Sequence, residues 1–231
     1  MPSLVLELAA FGSLRDALES EFSLSWLQKC HVSFDITIGL YTLHSCGLLH
    51  GDLKPENVMI QHHENRQIVA KLLDFAGATD ETRFGSGQHR RFMSKLWLPA
   101  EALMDGAVVD WRKVDCYSYG MLITHIFCDL DFETTNCYLE ISIPNYFAAA
   151  EKDDMLLYFK TCPETTTDSV LSQSMALAKK YSQDLKSQGI MIPLEFIQKQ
   201  TLTVDPQTRA GLDEIIPFFR PFAEACERMF P

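Results

Sequence analysis

Hydrophobic positions in this chain change period several times, and each change marks an element. Ser3 to Leu8 (SLVLEL) is a short apolar run ended by Gly12, and reads as one strand leading into a turn. Ser13 then stands as an N-cap for a short helix carrying Leu14, Ala17 and Leu18. Leu27, Phe34, Ile38, Tyr41 and Leu43 recur at roughly helical spacing up to Gly47, which predicts a long helix burying that face. Val58 to Ile60 and Ile68 to Leu73 are β-like runs flanking the polar HHENR, and read as a hairpin. From Ala76 to Met93 the chain is polar, rich in Gly and Thr and aperiodic, which predicts a long exposed loop of the kind that usually serves a function.

Val114 to Phe127 (VDCYSYGMLITHIF) is nearly all apolar and long enough for a helix buried on every side. Thr167 to Gln188, Leu194 to Thr201, Leu212 to Phe219 and Phe222 to Met229 supply further helices, with Pro193, Pro206, Pro217 and Pro221 as punctuation. Asp129 to Thr166 gives no decisive period. No repeat or linker interrupts the chain, so residues 1–231 read as one domain of an α+β, mainly α, class.

Composition sharpens this picture in three places. A 47% hydrophobic share in 231 residues supports a sizeable core and argues against disorder. The net charge of -11, from 31 acidic and 20 basic residues, leaves no cationic field for nucleic acid or an anionic membrane surface, so neither is expected as a partner. The seven Cys are scattered without a C-x-x-C pair, as in reduced thiols and not a disulfide framework or zinc site. With no signal-like N-terminus and no apolar run of ~18 to 20 residues, the expected location is the cytoplasm or the nucleus.

Candidate chemistry is concentrated in His50 to Ile60, HGDLKPENVMI. Phosphoryl transfer needs a carboxylate to orient the attacking hydroxyl, a cation near the transferred group, and oxygen ligands for Mg²⁺. Asp52 can supply the first, Lys54 the second and Asn57 a ligand, all on one tight loop, and Asp74, just past the hairpin, can hold the metal from the other side.

These residues carry a resemblance. The chain resembles the C-terminal lobe of a eukaryotic protein kinase of the Ser/Thr type, whose loop H-R-D-L-K-x-x-N is matched at His50, Asp52, Leu53, Lys54 and Asn57. The resemblance implies Asp52 as catalytic base, Lys54 as contact for the γ-phosphate of ATP, and Asn57 with Asp74 as Mg²⁺ ligands, acting on a protein substrate. The A-P-E triplet appears as Pro99-Ala100-Glu101, preceded by Ser94 and Trp97. Ser94 would hydrogen-bond near Asp52 and Lys54, Asp115 would steady the loop backbone, and Arg209 would pair with Glu101. Residues 1–12 resemble the last strand and hinge of the N-terminal lobe, and residues 13–231 the helical lobe. By that likeness Leu6 is the gatekeeper, the backbones of Glu7 and Ala9 meet the adenine edge, and Met59 forms the apolar floor of the nucleotide site.

The pattern also departs from the family. The Gly-rich loop, the strand Lys and its helix Glu would precede the hinge, yet only about six residues do, and no G-x-G-x-x-G occurs in the sequence. Since one positioned cation is worth ~10³ or more in this chemistry, weak or no transfer is the expectation for this polypeptide alone, with the N-terminal lobe missing. Gly51 replaces the Arg of H-R-D, so a phosphate on Thr79, Thr82 or Ser86 would lack its usual partner. Ala76 replaces the Gly of D-F-G, and Pro99 and Ala100 are exchanged relative to A-P-E. Two alternatives stand beside the first reading. One is a non-catalytic, pseudokinase-like module that docks a protein partner. The other is a small-molecule kinase of the aminoglycoside or choline kind, which shares H-G-D but not Lys54, PENVM, Asp115 or DPQTR. His62 and His63 read as solvated turn residues, because neighbours on a strand face opposite sides and rarely share a metal.

Overall fold

Ser13 opens the first helix, as its position indicates. In the computed structural model, which describes residues 7–20, 24–74, 79–80, 93–104, 106–128, 157, 160–161, 170–180 and 191–217, α1 spans Leu14–Glu19. The Ser13 hydroxyl accepts the Asp16 N–H at 3.1 Å and the Asp16 carboxylate accepts the Ser13 N–H at 2.8 Å, a reciprocal capping box. That N–H, followed by the hydroxyl, holds the Asp16 carboxyl below the usual carboxylate range.

Ser25 and Gln28 cap α2 (Trp26–Ser45) in the same way, and Gly47 ends it at φ +71°. The face this helix buries differs from the one expected. Leu27, Phe34, Ile38 and Leu43 are half-buried and Tyr41 is exposed, while Cys30, Ser33, Ile36, Thr37, Leu40 and His44 face the core. Polar residues take core positions because each finds a partner. The Ser33 hydroxyl donates to the Lys29 carbonyl at 2.8 Å, Thr37 lies 2.6 Å from the Tyr119 hydroxyl, and His44 bonds Asp115. Counting apolar periods cannot see such a face.

Strand β1 (Leu48–Leu49) leads into the candidate loop, which closes in a 3₁₀ turn at Pro55–Asn57. β2 (Val58–His63) and β3 (Gln67–Leu72) form the expected antiparallel hairpin, in register from Val58 opposite Leu72 to His63 opposite Gln67. It is longer than expected, since His62 and His63 belong to β2 and the turn is confined to residues 64–66. The stretch expected as aperiodic loop also contains a strand: β4 (Thr79–Asp80) pairs antiparallel with β1. Two residues are too few to register as a period in sequence.

Beyond the site lie a 3₁₀ turn (Lys95–Trp97), α3 (Ala100–Leu103), α4 (Trp111–Cys128), α5 (Val170–Lys180), α6 (Met191–Thr201) and a helical run at 212–217. α4 is buried without interruption from Val114 to Cys128, as its composition requires, and packs on α2, α5 and α6. Pro193, expected to bound a helix, stands inside α6; its missing N–H breaks no bond within 191–201, because the i−4 acceptor lies before that span. Cys30, Cys46, Cys116 and Cys128 are free thiols, and burial pushes the Cys116 thiol up to about 12. No described helix is long and apolar enough to cross a membrane. The expected strand through Leu6, Ala76 to Ala78 and the helix from Phe222 to Met229 lie outside the described residues.

α4 and α6 approach closely at Gly120, where a Cβ would lie 1.9 Å from Thr201 Oγ1 and 2.7 Å from Thr201 Cβ. The Thr201 hydroxyl is engaged by the Ile197 carbonyl at 2.7 Å and cannot turn away freely. Gly120→Ala should therefore destabilise by about 1–3 kcal/mol despite the better helix propensity of Ala, read as a lower urea midpoint at unchanged m-value.

Candidate active site

The loop His50 to Asn57 has little regular structure of its own, and a carboxylate on α4 holds its start. Asp115, 1% exposed, accepts the His50 N–H at Oδ2 and the Gly51 N–H at Oδ1, each at 2.9 Å. His44 Nε2 meets Oδ2 at 2.9 Å from α2. Asp115 thus joins two helices to the loop backbone, the role its match to the kinase pattern implied. Gly51, where the sequence departs from H-R-D, has φ +77°, a conformation glycine adopts at no steric cost.

Downstream, the predicted residues converge. Asp52 Oδ1 accepts the Ser94 N–H at 2.9 Å, and Oδ2 lies 3.1 Å from Lys54 Nζ and 3.2 Å from Asn57 Nδ2. The Asn57 amide donates a second bond to the Asp52 carbonyl at 2.7 Å, and Lys54 Nζ donates to Ser94 Oγ at 2.7 Å. Leu53, fully buried between Asp52 and Lys54, pins the loop to the core so that these polar neighbours point outward. Asp52 retains 16% side-chain exposure and Lys54 23%, enough for both to meet a ligand.

Asp74 arrives from β3. The Leu73 N–H donates to the Asn57 carbonyl at 2.8 Å, which sets the backbone leading into Asp74 beside Asn57. Asp74 itself is exposed and has φ +62°, a left-handed backbone that costs a non-glycine residue about 1 kcal/mol or more and recurs at functional sites. Both Asn57 amide bonds run to Asp52, so Oδ1 faces away from that residue. An amide oxygen and a carboxylate fit Mg²⁺, which is held by one or two protein oxygens together with substrate phosphates. Among the described residues no group of three or more His, Cys, Asp or Glu could hold a metal by itself.

The residues expected on the nucleotide side also assemble. The Phe11 N–H donates to the Ile60 carbonyl at 3.1 Å, the Ile60 N–H to the Gly12 carbonyl at 2.9 Å, and Ser13 bridges Met59, so residues 11–13 run antiparallel to β2. Met59 is half-buried beside it. Glu7 forms an exposed ion pair of 2.7 Å with Lys71, the residue opposite Met59 in the hairpin, and Lys71 holds the Glu7 carboxyl below its ordinary range. The Ala9 carbonyl accepts the Gly12 N–H at 3.4 Å.

Glu101 and Arg209 form a buried pair. The Arg209 guanidinium, fully buried, donates to Glu101 at 2.7 Å, to the Lys113 carbonyl at 3.0 Å and to the Thr203 carbonyl at 2.9 Å, and lies 5.0 Å over the Tyr117 ring. Sequence reasoning missed His44. Its signal was available: Ser33, Thr37 and His44 form a polar stripe at helical spacing inside an otherwise apolar helix.

A family model described as "Protein kinase domain" matches residues 2–217. Over 117 residues, half of this chain, the sequence is 32% identical to "Dual specificity testis-specific protein kinase 2" of Homo sapiens. Over 112 residues it is 31% identical to "Probable serine/threonine-protein kinase gdt2" of Dictyostelium discoideum. The aligned segments span 20% and 7% of those two proteins and 50% and 48% of this chain.

Asp115→Asn preserves shape but replaces one acceptor oxygen with a donor, which orphans either the His50 or the Gly51 N–H. The expected cost is about 1–3 kcal/mol in chemical denaturation, with faster amide exchange at residues 50 and 51 than in the β2–β3 hairpin.

Proposed function

The chain belongs to the protein kinase family, and we propose that its site transfers the γ-phosphoryl group of ATP to a Ser or Thr hydroxyl of a protein. The observation that carries this reading is the convergence of Lys54, Asn57 and Ser94 on Asp52, each within 3.2 Å of it, with Lys54 also bonded to Ser94. Asp52, oriented by the Ser94 N–H and the Asn57 amide, orients the acceptor hydroxyl and takes its proton as oxygen attacks phosphorus. The bond from the γ-phosphorus to the bridging oxygen breaks, and ADP leaves with the electron pair. Lys54 offers its ammonium to the moving phosphoryl oxygens, where charge accumulates. Asn57 and Asp74 would hold Mg²⁺, which neutralises phosphate charge when bound. Adenine would lie between Met59 and the backbone of Glu7 to Ala9, which can offer amide and carbonyl groups to its edge.

Ser94 supports a Ser/Thr acceptor, because its hydroxyl and N–H tie the acceptor-side backbone to Lys54 and Asp52. A second reading, a non-catalytic module that docks a protein partner, draws support from Leu8 and Phe11, large apolar side chains exposed beside the hinge.

Thermal melting of the full chain with MgATP separates the two. Nucleotide at 100 times Kd contributes about 2.7 kcal/mol, a rise of several degrees in Tm for a chain of this size. Asp74→Asn should remove the rise, whereas Asp52→Asn should keep it and lower transfer of labelled γ-phosphate by about 10²- to 10⁴-fold. No rise at millimolar nucleotide leaves the docking reading.

A further inference from the structure

Lys160 is a cation in an unexpected place. It is helical and 3% exposed, and its Nζ donates to two carbonyls of one short segment, Leu96 at 2.9 Å and Leu98 at 2.5 Å. The carbonyl between them, of Trp97, accepts the Ser118 hydroxyl at 2.9 Å. The two preceding carbonyls, of Ser94 and Lys95, accept the Trp97 and Leu98 N–H groups within the 3₁₀ turn. Every carbonyl from residue 94 to 98 is therefore engaged, and three successive ones by side chains distant in sequence. The ammonium also lies 5.1 Å over the Tyr117 ring, which faces the Arg209 guanidinium as well.

Burying an ammonium this deeply costs several kcal/mol unless its donors are used. Here they hold irregular backbone that begins at Ser94, the residue bonded to Lys54 and Asp52. We propose that Lys160 is the positioning residue of the acceptor-side segment 94–98, its ammonium fixing that backbone and so seating Ser94 against the catalytic loop. Calling the segment acceptor-side rests on the function proposed above; the tether itself does not.

The tether depends on a proton. Burial lowers Lys160 to about 7, with Glu101 opposing the shift and Arg209 adding to it. The other groups nearby are the Tyr117 ring, His125, edge-on to Trp97 at 5.9 Å, and Lys95 on the segment itself. Between pH 7 and the usual lysine value of 10.5 the folded chain binds fewer protons here than the unfolded chain. The contribution of Lys160 to global stability therefore rises with pH across that window, while its grip on the segment weakens, because a neutral amine makes weaker hydrogen bonds.

Hydrogen–deuterium exchange of the full chain at pH 6 and pH 8, corrected for intrinsic rate, reads the tether without requiring phosphoryl transfer. Amides in 94–98 should lose about tenfold in protection at pH 8, the ratio for exchanging a charge-assisted bond for a neutral one, while the β2–β3 hairpin stays constant. Lys160→Arg, a cation throughout, should abolish that pH dependence, and Lys160→Met should show low protection at both values. Equal protection of the wild-type segment at both pH values overturns the proposal. So does an unchanged pH dependence in Lys160→Arg, which would assign the effect to His125. If Lys160→Met does not fold, the wild-type and Lys160→Arg pair still decides. A chain with no transfer activity but a pH-dependent segment would refute the proposed function and leave the tether standing.

Discussion

The site depends on the burial of one carboxylate. Asp115 lies in a helix with no solvent face, and a charge there is tolerable only if its oxygens are used. Its oxygens accept two consecutive loop amides, and His44 engages it from α2. The electrostatic need of the helix and the structural need of the loop are met by the same bonds. Asp52, Lys54 and Asn57 then follow within seven residues, so their placement inherits the rigidity of α4, whose own position is set by the close contact of Gly120 with Thr201.

The same device recurs around the site. Backbone carbonyls there are held by buried side chains, most of them from far along the chain. Arg209 secures the Lys113 and Thr203 carbonyls while paired with Glu101, and Ser118 secures Trp97. A buried ion pair of this kind is weak evidence for net stability, since desolvation offsets much of the attraction. Its contribution is geometric: it joins α3 to the 203–209 turn across 108 residues of sequence.

Much of this was legible in the sequence, for local reasons. Ser13 announces α1 through its cap, the apolar block of α4 can only be interior, and HGDLKPENVMI carries its chemistry at fixed offsets along one loop. The hairpin was recognised but trimmed, because His62 and His63 look like turn residues and are strand. The face of α2 is hidden from apolar periodicity because Thr37 and His44 are made suitable for the core by Tyr119 and Asp115 on α4, and Ser33 by the Lys29 carbonyl of its own helix. Asp115 and Arg209 were identified by likeness to a family pattern, for neither lies within a local period. β4 is too short to have one.

Gly51 gives the loop a different source of order from the Arg it replaces. An arginine at φ +77° would be strained there, and its long side chain could compensate only by binding elsewhere. Glycine is unstrained, but in an unfolded chain it has the widest freedom of any residue. The bend at this point is therefore enforced by a neighbour's hydrogen bonds and not by its own conformational preference. Loosening the packing around α4 would release the acceptor for the Gly51 amide and let the bend relax. Core and loop thus form one cooperative unit, so the site should persist as long as the helix that holds it and melt with it.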